Sequence, residues 1–200
     1  MKTGDDPATY YAQMESAWAG YPSTDDIVAY EAFFAEMGAD RTMEELVREL
    51  MGQVPRSTRR VLEFGCDNGI LLTLFREPGL ELAGVDINRD AIARGRVAFP
   101  DLDLRVNTGL TVPFEDDHFD VVVASAVLKH IRPEDRPALY EEFRRVGRHL
   151  LAVFEESTKV EAFGPFTFYR SDFVHELGEV FEPVQSIRTG GYVFALFRTR

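Results

Sequence analysis

The sequence predicts an α/β protein: a mostly parallel, seven-stranded sheet with helices on both faces, a terminal antiparallel hairpin and an N-terminal helical cap. Three observations predict it. From residue 60 to residue 154, short β runs alternate with helical stretches, the order that builds a parallel sheet with helical crossovers. The run Phe119 to Ala124 is nearly all valine, as expected of a strand buried on both faces. Thr189-Gly190-Gly191 separates two further β runs and reads as a hairpin turn.

Residues 7–52 read as helical. Tyr10 to Trp18 is amphipathic, and Asp25 to Met37 carries Ile27, Val28, Tyr30, Phe33 and Phe34. Thr42-Met43-Glu44-Glu45 is a capping box, followed by Leu46, Val47 and Leu50 at helical spacing. Gly52 and Pro55 end that helix. Arg60 to Phe64 is a first strand, and Leu71 to Arg76 a helix stopped by Pro78-Gly79. Leu80 to Val85 is a second strand ending at Asp86, and Asn88 caps a helix running to Val97. Leu102 to Val106 and Phe119 to Ala124 are the third and fourth strands, and Pro133 opens a helix to Val146. His149 to Phe154 is the fifth strand, and Ser171 caps a short helix to Leu177. Val184 to Arg188 and Tyr192 to Phe197 are the arms of the hairpin. Residues 1–55 are expected to form the cap and 56–200 the core, together one structural domain.

The 200 residues are 45% hydrophobic and 28% charged, enough for a core of ordinary size. The net charge of −12 makes nucleic acid a poor partner. Arg56, Arg59 and Arg60 form a short basic cluster that reads as a solvated loop. A single cysteine, Cys66, permits no internal disulfide and fits a cytoplasmic location. The first residues lack the apolar stretch of a signal peptide, and no apolar run approaches the ~20 residues of a membrane span. No membrane association is expected, and the chain is expected to act as a monomer or homodimer.

In open α/β sheets ligands bind beyond the carboxyl ends of the strands. There the stretch Val61-Leu62-Glu63-Phe64-Gly65-Cys66-Asp67-Asn68-Gly69-Ile70 is the most informative. A glycine directly after a strand lets the backbone turn sharply and approach a ligand. About twenty residues later Asp86 ends the second strand, where an acid can accept hydrogen bonds from ribose hydroxyls. A pyrophosphate on this turn would be repelled by Asp67, whereas an amino-acid moiety with its ammonium group tolerates Glu63 and Asp67.

At these residues the sequence resembles the class I S-adenosylmethionine-dependent methyltransferases, particularly their small-molecule branch. Their first motif has the form (V/I)L(E/D)hGxGxG, with h apolar. Val61 to Gly69 matches it, except that Asp67 stands at the middle glycine. Leu82-Ala83-Gly84-Val85-Asp86-Ile87-Asn88 resembles the second motif. Val112-Pro113-Phe114 to Val123 resembles the passage into strand four, and Val127-Leu128-Lys129-His130-Ile131 the helix after it. The likeness covers roughly residues 58–155 and implies a Rossmann-like fold, with S-adenosylmethionine as cofactor and a small-molecule acceptor.

The resemblance also implies roles. Gly65, Cys66, Asp67 and Gly69 would line the methionine end, and Glu63 would orient its ammonium group. Asp86 would bind ribose with Ile87 against adenine, and Thr108, followed by Gly109, would meet the adenine amine. Ser125 and Ala126 would face the methyl group. His130 is the candidate general base. Relatives that methylate quinone-type substrates pair that histidine with nearby acids around a metal. Ala126 and Lys129 stand at the neighbouring positions here, so no metal is expected. Tyr11 and Trp18 of the cap, with Tyr10 and Tyr21 beside them, are expected on the acceptor site. Phe166, Tyr169 and Arg170, between the fifth strand and the next helix, are expected there too. The chain reads as a methyltransferase acting on oxygen, nitrogen or carbon of a small molecule. A non-catalytic cofactor-binding or regulatory protein on the same fold stays open as the alternative.

Overall fold

The computed structural model describes residues 6–20, 23–36, 38–156, 169 and 171–199. Three helices come first: α1 (Pro7–Trp18), α2 (Ile27–Glu36) and α3 (Met43–Gln53). Then follow β1 (Arg60–Phe64), β2 (Glu81–Asp86), α4 (Arg89–Ala98), β3 (Asp103–Val106), β4 (Phe119–Ser125), α5 (Arg136–Val146) and β5 (Gly147–Glu156). α6 (Phe173–Gly178), β6 (Glu182–Thr189) and β7 (Tyr192–Arg198) complete the chain.

The seven strands form one sheet in the order β3-β2-β1-β4-β5-β7-β6. β1 to β5 pair in parallel, and β7 lies antiparallel between β5 and β6. The chain lays β2 and β3 on one side of β1, then returns to lay β4 and β5 on the other. That reversal leaves a crevice beyond the carboxyl ends of β1 and β4. The valine run in β4 is explained by its two faces. Val122 and Ala124 join the core under α1, α5 and α6, while Val121 and Val123 join the core under α3 and α4.

Local chemistry sets the element ends. Thr42 and Glu45 form the capping box of α3, each side chain accepting the other's backbone N–H at 3.1 Å. Asn88 accepts from the N–H groups of Asp90 and Ala91 and starts α4. Three elements differ from the sequence reading. Leu71–Phe75 is a short 3-10 helix, tightened by the Thr73 hydroxyl donating to the Ile70 carbonyl at 2.6 Å. Residues 133–135 form a turn ahead of α5, which begins at Arg136 with Pro137 in its first turn. The cap of α6 is Asp172, accepting from His175 N–H at 3.1 Å, because the Ser171 hydroxyl is engaged by Glu176.

Candidate cofactor and acceptor site

Beyond Phe64 the chain bends at Gly65, whose φ of +76° lies in the left-handed region. A Cβ at Gly65 would also stand 2.4 Å from the Val127 side chain, so the position is closed to other residues twice over. The N–H groups of Gly65 and Cys66 both donate to the Val85 carbonyl, at 2.8 and 3.1 Å, folding the turn toward β2. Asp67 has φ of +47°, a conformation that short polar residues tolerate better than most. Its N–H donates to Asp86 Oδ2 at 2.8 Å, while Asp86 Oδ1 accepts from Asn88 N–H at 2.8 Å. The Asp86 carboxylate is thereby fixed between the turn and the start of α4.

Three carboxyl groups converge here, and the Arg94 guanidinium acts on Asp67 alone among them. Burial, then Asp86 and Asp67, hold Glu63 well above the usual carboxylate range. Burial pushes Asp86 up to about 6, against its backbone donors. Asp67 is raised by burial and relieved in part by Ser23 and Arg94. The Cys66 thiol is also raised by burial and by these acids, which disfavours its thiolate. Glu63 is 3% exposed, and its Oε2 has no hydrogen-bond partner among the described residues.

The cap is tied to this turn. Ser23 donates to Asp67 Oδ1 at 2.8 Å and receives Arg94 at 2.8 Å. Asn68 and Asn88 side chains donate to the carbonyls of Thr24 and Trp18, each at 2.9 Å. Tyr11 packs against Gly109 and donates to Asp135 at 3.1 Å. Tyr30, Phe33 and Phe34 of α2 reach over from the other side. Together they enclose a cavity of about 550 Å³.

The second half of the cavity lies past β4. Ser125 ends the strand, and Ala126, at φ of +52°, donates its N–H to the Phe154 carbonyl at 2.7 Å. A short 3-10 helix, Leu128–His130, follows. Buried Glu155 pins it by accepting from Leu128 N–H at 2.6 Å. The His130 ring meets Trp18 edge-on at 5.2 Å. Lys129 Nζ and Glu156 Oε1 form an ion pair at 2.5 Å, and Tyr192 stacks on Phe154 at 5.0 Å. A groove of about 650 Å³ lies elsewhere, lined by residues at the start of β1 and β2. Its Arg60 and Arg76 are already paired with Glu81 and Asp101 at 2.8 Å, and among the described residues no buried polar atom lacking a partner lines it.

The methyltransferase-domain family model matches residues 62–149 of the chain. A demethylmenaquinone methyltransferase of Renibacterium salmoninarum is 26% identical, over 84% of this chain and 66% of that protein. One from Beutenbergia cavernae is 24% identical, over 87% of this chain and 70% of that protein. The chain therefore spans about two thirds of the length of these curated relatives. The chain is thus similar to S-adenosylmethionine-dependent methyltransferases over these residues. Its fold is that of Burkholderia thailandensis 1,6-didemethyltoxoflavin-N1-methyltransferase, solved with 1,6-didemethyltoxoflavin and S-adenosylhomocysteine. The TM-score is 0.70 at 16% identity, covering 99% of this chain and 92% of that one.

In this chain the cavity gathers Glu63, Gly65, Cys66, Asp67, Asp86 and Ile87 with Gly109, Ser125 and Ala126. Tyr11, Trp18 and His130 join them from the cap side and the turn after β4. Two residues assigned to the cofactor by sequence lie elsewhere. Gly69 faces the core, where a Cβ would meet Leu102 and Leu104 at 3.0 Å, so its place is set by packing and its φ of +86°. Thr108 is exposed, because the chain leaving β3 turns Asn107 inward instead. Tyr169 packs on the core and donates its N–H to the Lys129 carbonyl at 2.8 Å, which places it behind the cavity wall. Phe166, Arg170 and Tyr21 lie outside the described residues.

Sequence reasoning missed Asn107, Tyr30, Phe34, Lys129 and Glu156. Asn107 is 4% exposed; its amide donates to the Gly109 carbonyl at 2.7 Å, and its Oδ1 has no partner among the described residues. Its signal was available, since it follows β3 as Gly65 follows β1. Among the described residues, no helix is long and apolar enough to cross a membrane.

Proposed function

We propose that the chain transfers a methyl group from S-adenosylmethionine to a small-molecule acceptor. The observation that carries the reading is a single cavity running from a carboxylate-lined turn, past Ser125 and Ala126, to an aromatic-walled end. The residues present fit the cofactor. Buried Glu63, lacking a partner at Oε2, is suited to an ammonium group, and the lone acceptor at Asn107 Oδ1 to the adenine amine. Asp86 keeps lone pairs for the ribose hydroxyls beyond its two backbone donors, and Ile87 offers an apolar face to the adenine. When bound, the cofactor supplies an electrophilic methyl group on sulfur, so the protein's task is position and exclusion of water.

The names of the relatives, a demethylmenaquinone and a didemethyltoxoflavin methyltransferase, support a small and planar acceptor. The net charge of −12 speaks against nucleic acid. Thermal melting tests the reading. S-adenosylmethionine and S-adenosylhomocysteine are expected to raise Tm, by ~2.7 kcal/mol of stabilisation at a hundredfold excess over Kd, and NAD to leave it unchanged. A folded protein whose melting ignores both adenosyl ligands overturns it.

A further inference from the structure

We propose that the Lys129–Glu156 pair binds the acceptor and takes its proton, selecting a planar molecule with an acidic hydroxyl, a phenol or an enol. This rests on the methyl-transfer reading above. Both side chains line the cavity, 11% and 15% exposed. Glu156 lies two residues beyond Phe154 on β5 and so leaves the same face of the strand, ~7 Å further along. The Phe154 carbonyl accepts from Ala126, which places the pair just past the methyl end of the cofactor half.

A buried ion pair is a poor source of stability, because desolvation offsets its attraction. Nor is this one needed to hold the turn, which Glu155 already pins through Leu128 N–H. The distribution of charge supplies its use. Glu63, Asp67 and Asp86 occupy the opposite end, and Lys129 is the one ammonium among the described lining residues. A hydroxyl acceptor becomes anionic as it reacts, and Lys129 meets that charge. A protonated amine would instead be repelled by Lys129. Phe34, Trp18 and Tyr192, the last stacked on Phe154, wall the space with rings that suit a flat molecule.

The step balances. The acceptor O–H proton passes to the Glu156 carboxylate, and Lys129 exchanges its carboxylate partner for the acceptor oxygen. An electron pair of the acceptor anion, from oxygen or its conjugated carbon, then forms the bond to the methyl carbon. The carbon–sulfur bond breaks and its pair stays on sulfur. The proton returns from Glu156 to solvent. This assigns the base to Glu156, with His130 as the wall that meets Trp18.

The test uses 4-nitrophenol, a planar phenol whose ionised form is coloured, titrated into protein loaded with S-adenosylhomocysteine. Bound probe is expected to ionise about 1–3 pH units below its free value, the effect of a cation at contact distance. Lys129→Met is expected to abolish that shift, and Lys129→Arg to keep it. At a pH between the bound and free values, neutral probe binds the wild type as its anion with the proton held on Glu156, so binding releases none to the buffer. In Glu156→Gln it is expected to release one, seen as a buffer-dependent calorimetric heat. An unshifted probe in the loaded wild type, or a Lys129→Met variant that matches it, overturns the proposal. Failure of the underlying reading looks different: no S-adenosylhomocysteine heat from the wild type at all.

Discussion

Glu63 is buried beside Asp86 and Asp67, and burial holds its carboxyl well above the usual range. The folded, ligand-free protein therefore binds that proton more tightly than the unfolded chain does. Stability falls as pH rises through the raised value, because the fold must then carry a buried, unpaired charge. Glu63→Gln keeps the shape and removes the charge. The ligand-free variant is expected to melt higher than wild type at pH 8 and level with it at pH 5. Each ~1 kcal/mol appears as roughly 2–4 °C in a chain of this size. The same variant is expected to lose the proton that wild type releases when an ammonium group arrives. A variant that melts below wild type at pH 8 contradicts this account. At this scale the sequence was legible at the ends of β1 and β2, where Gly65 and Asp86 stand, but it passed over Asn107 after β3. It misassigned Thr108 because the direction of a side chain after a strand depends on how the chain leaves it, which spacing does not encode.

At the scale of elements, α4 packs so closely on the cofactor turn that a Cβ at Gly95 would lie 2.2 Å from the Asn68 carbonyl oxygen. On an exposed helix, Gly→Ala gains ~1 kcal/mol of propensity. Here the methyl meets backbone that cannot rotate away, and overpacking at ~1–3 kcal/mol wins. Gly95→Ala is expected to lower Tm and to weaken S-adenosylhomocysteine binding by roughly tenfold, ~1.4 kcal/mol. Calorimetry checks it, and unchanged affinity would show that the turn does not depend on the helix beneath it. Nothing in the sequence marked Gly95, since its need arises from a neighbour 27 residues away (Asn68) and not from its own backbone. Helices and strands were otherwise legible from periodicity. The 3-10 helix Leu71–Phe75 was not, because five apolar residues between Gly69 and Pro78 fit either helical form.

Across the whole molecule, the alternation of strands and helices made the sheet readable, and the valine run located its centre. The cavity was only half readable. Its cofactor side comes from strand ends close together in sequence, whereas its acceptor side joins α1, α2, β7 and the turn after β4. Only the folded chain brings those together. The threads from Ser23, Thr24 and Trp18 to Asp67, Asn68 and Asn88 then carry a kinetic meaning. The segment that roofs the acceptor is fastened to the residues beneath the nucleoside. The two reactants cannot arrive independently, because the floor has to be furnished before the roof settles. Initial-rate studies should show a compulsory order: S-adenosylhomocysteine competing with S-adenosylmethionine but not with the acceptor, and the adenosyl product departing last. Random-order kinetics would mean that roof and floor move apart freely during turnover.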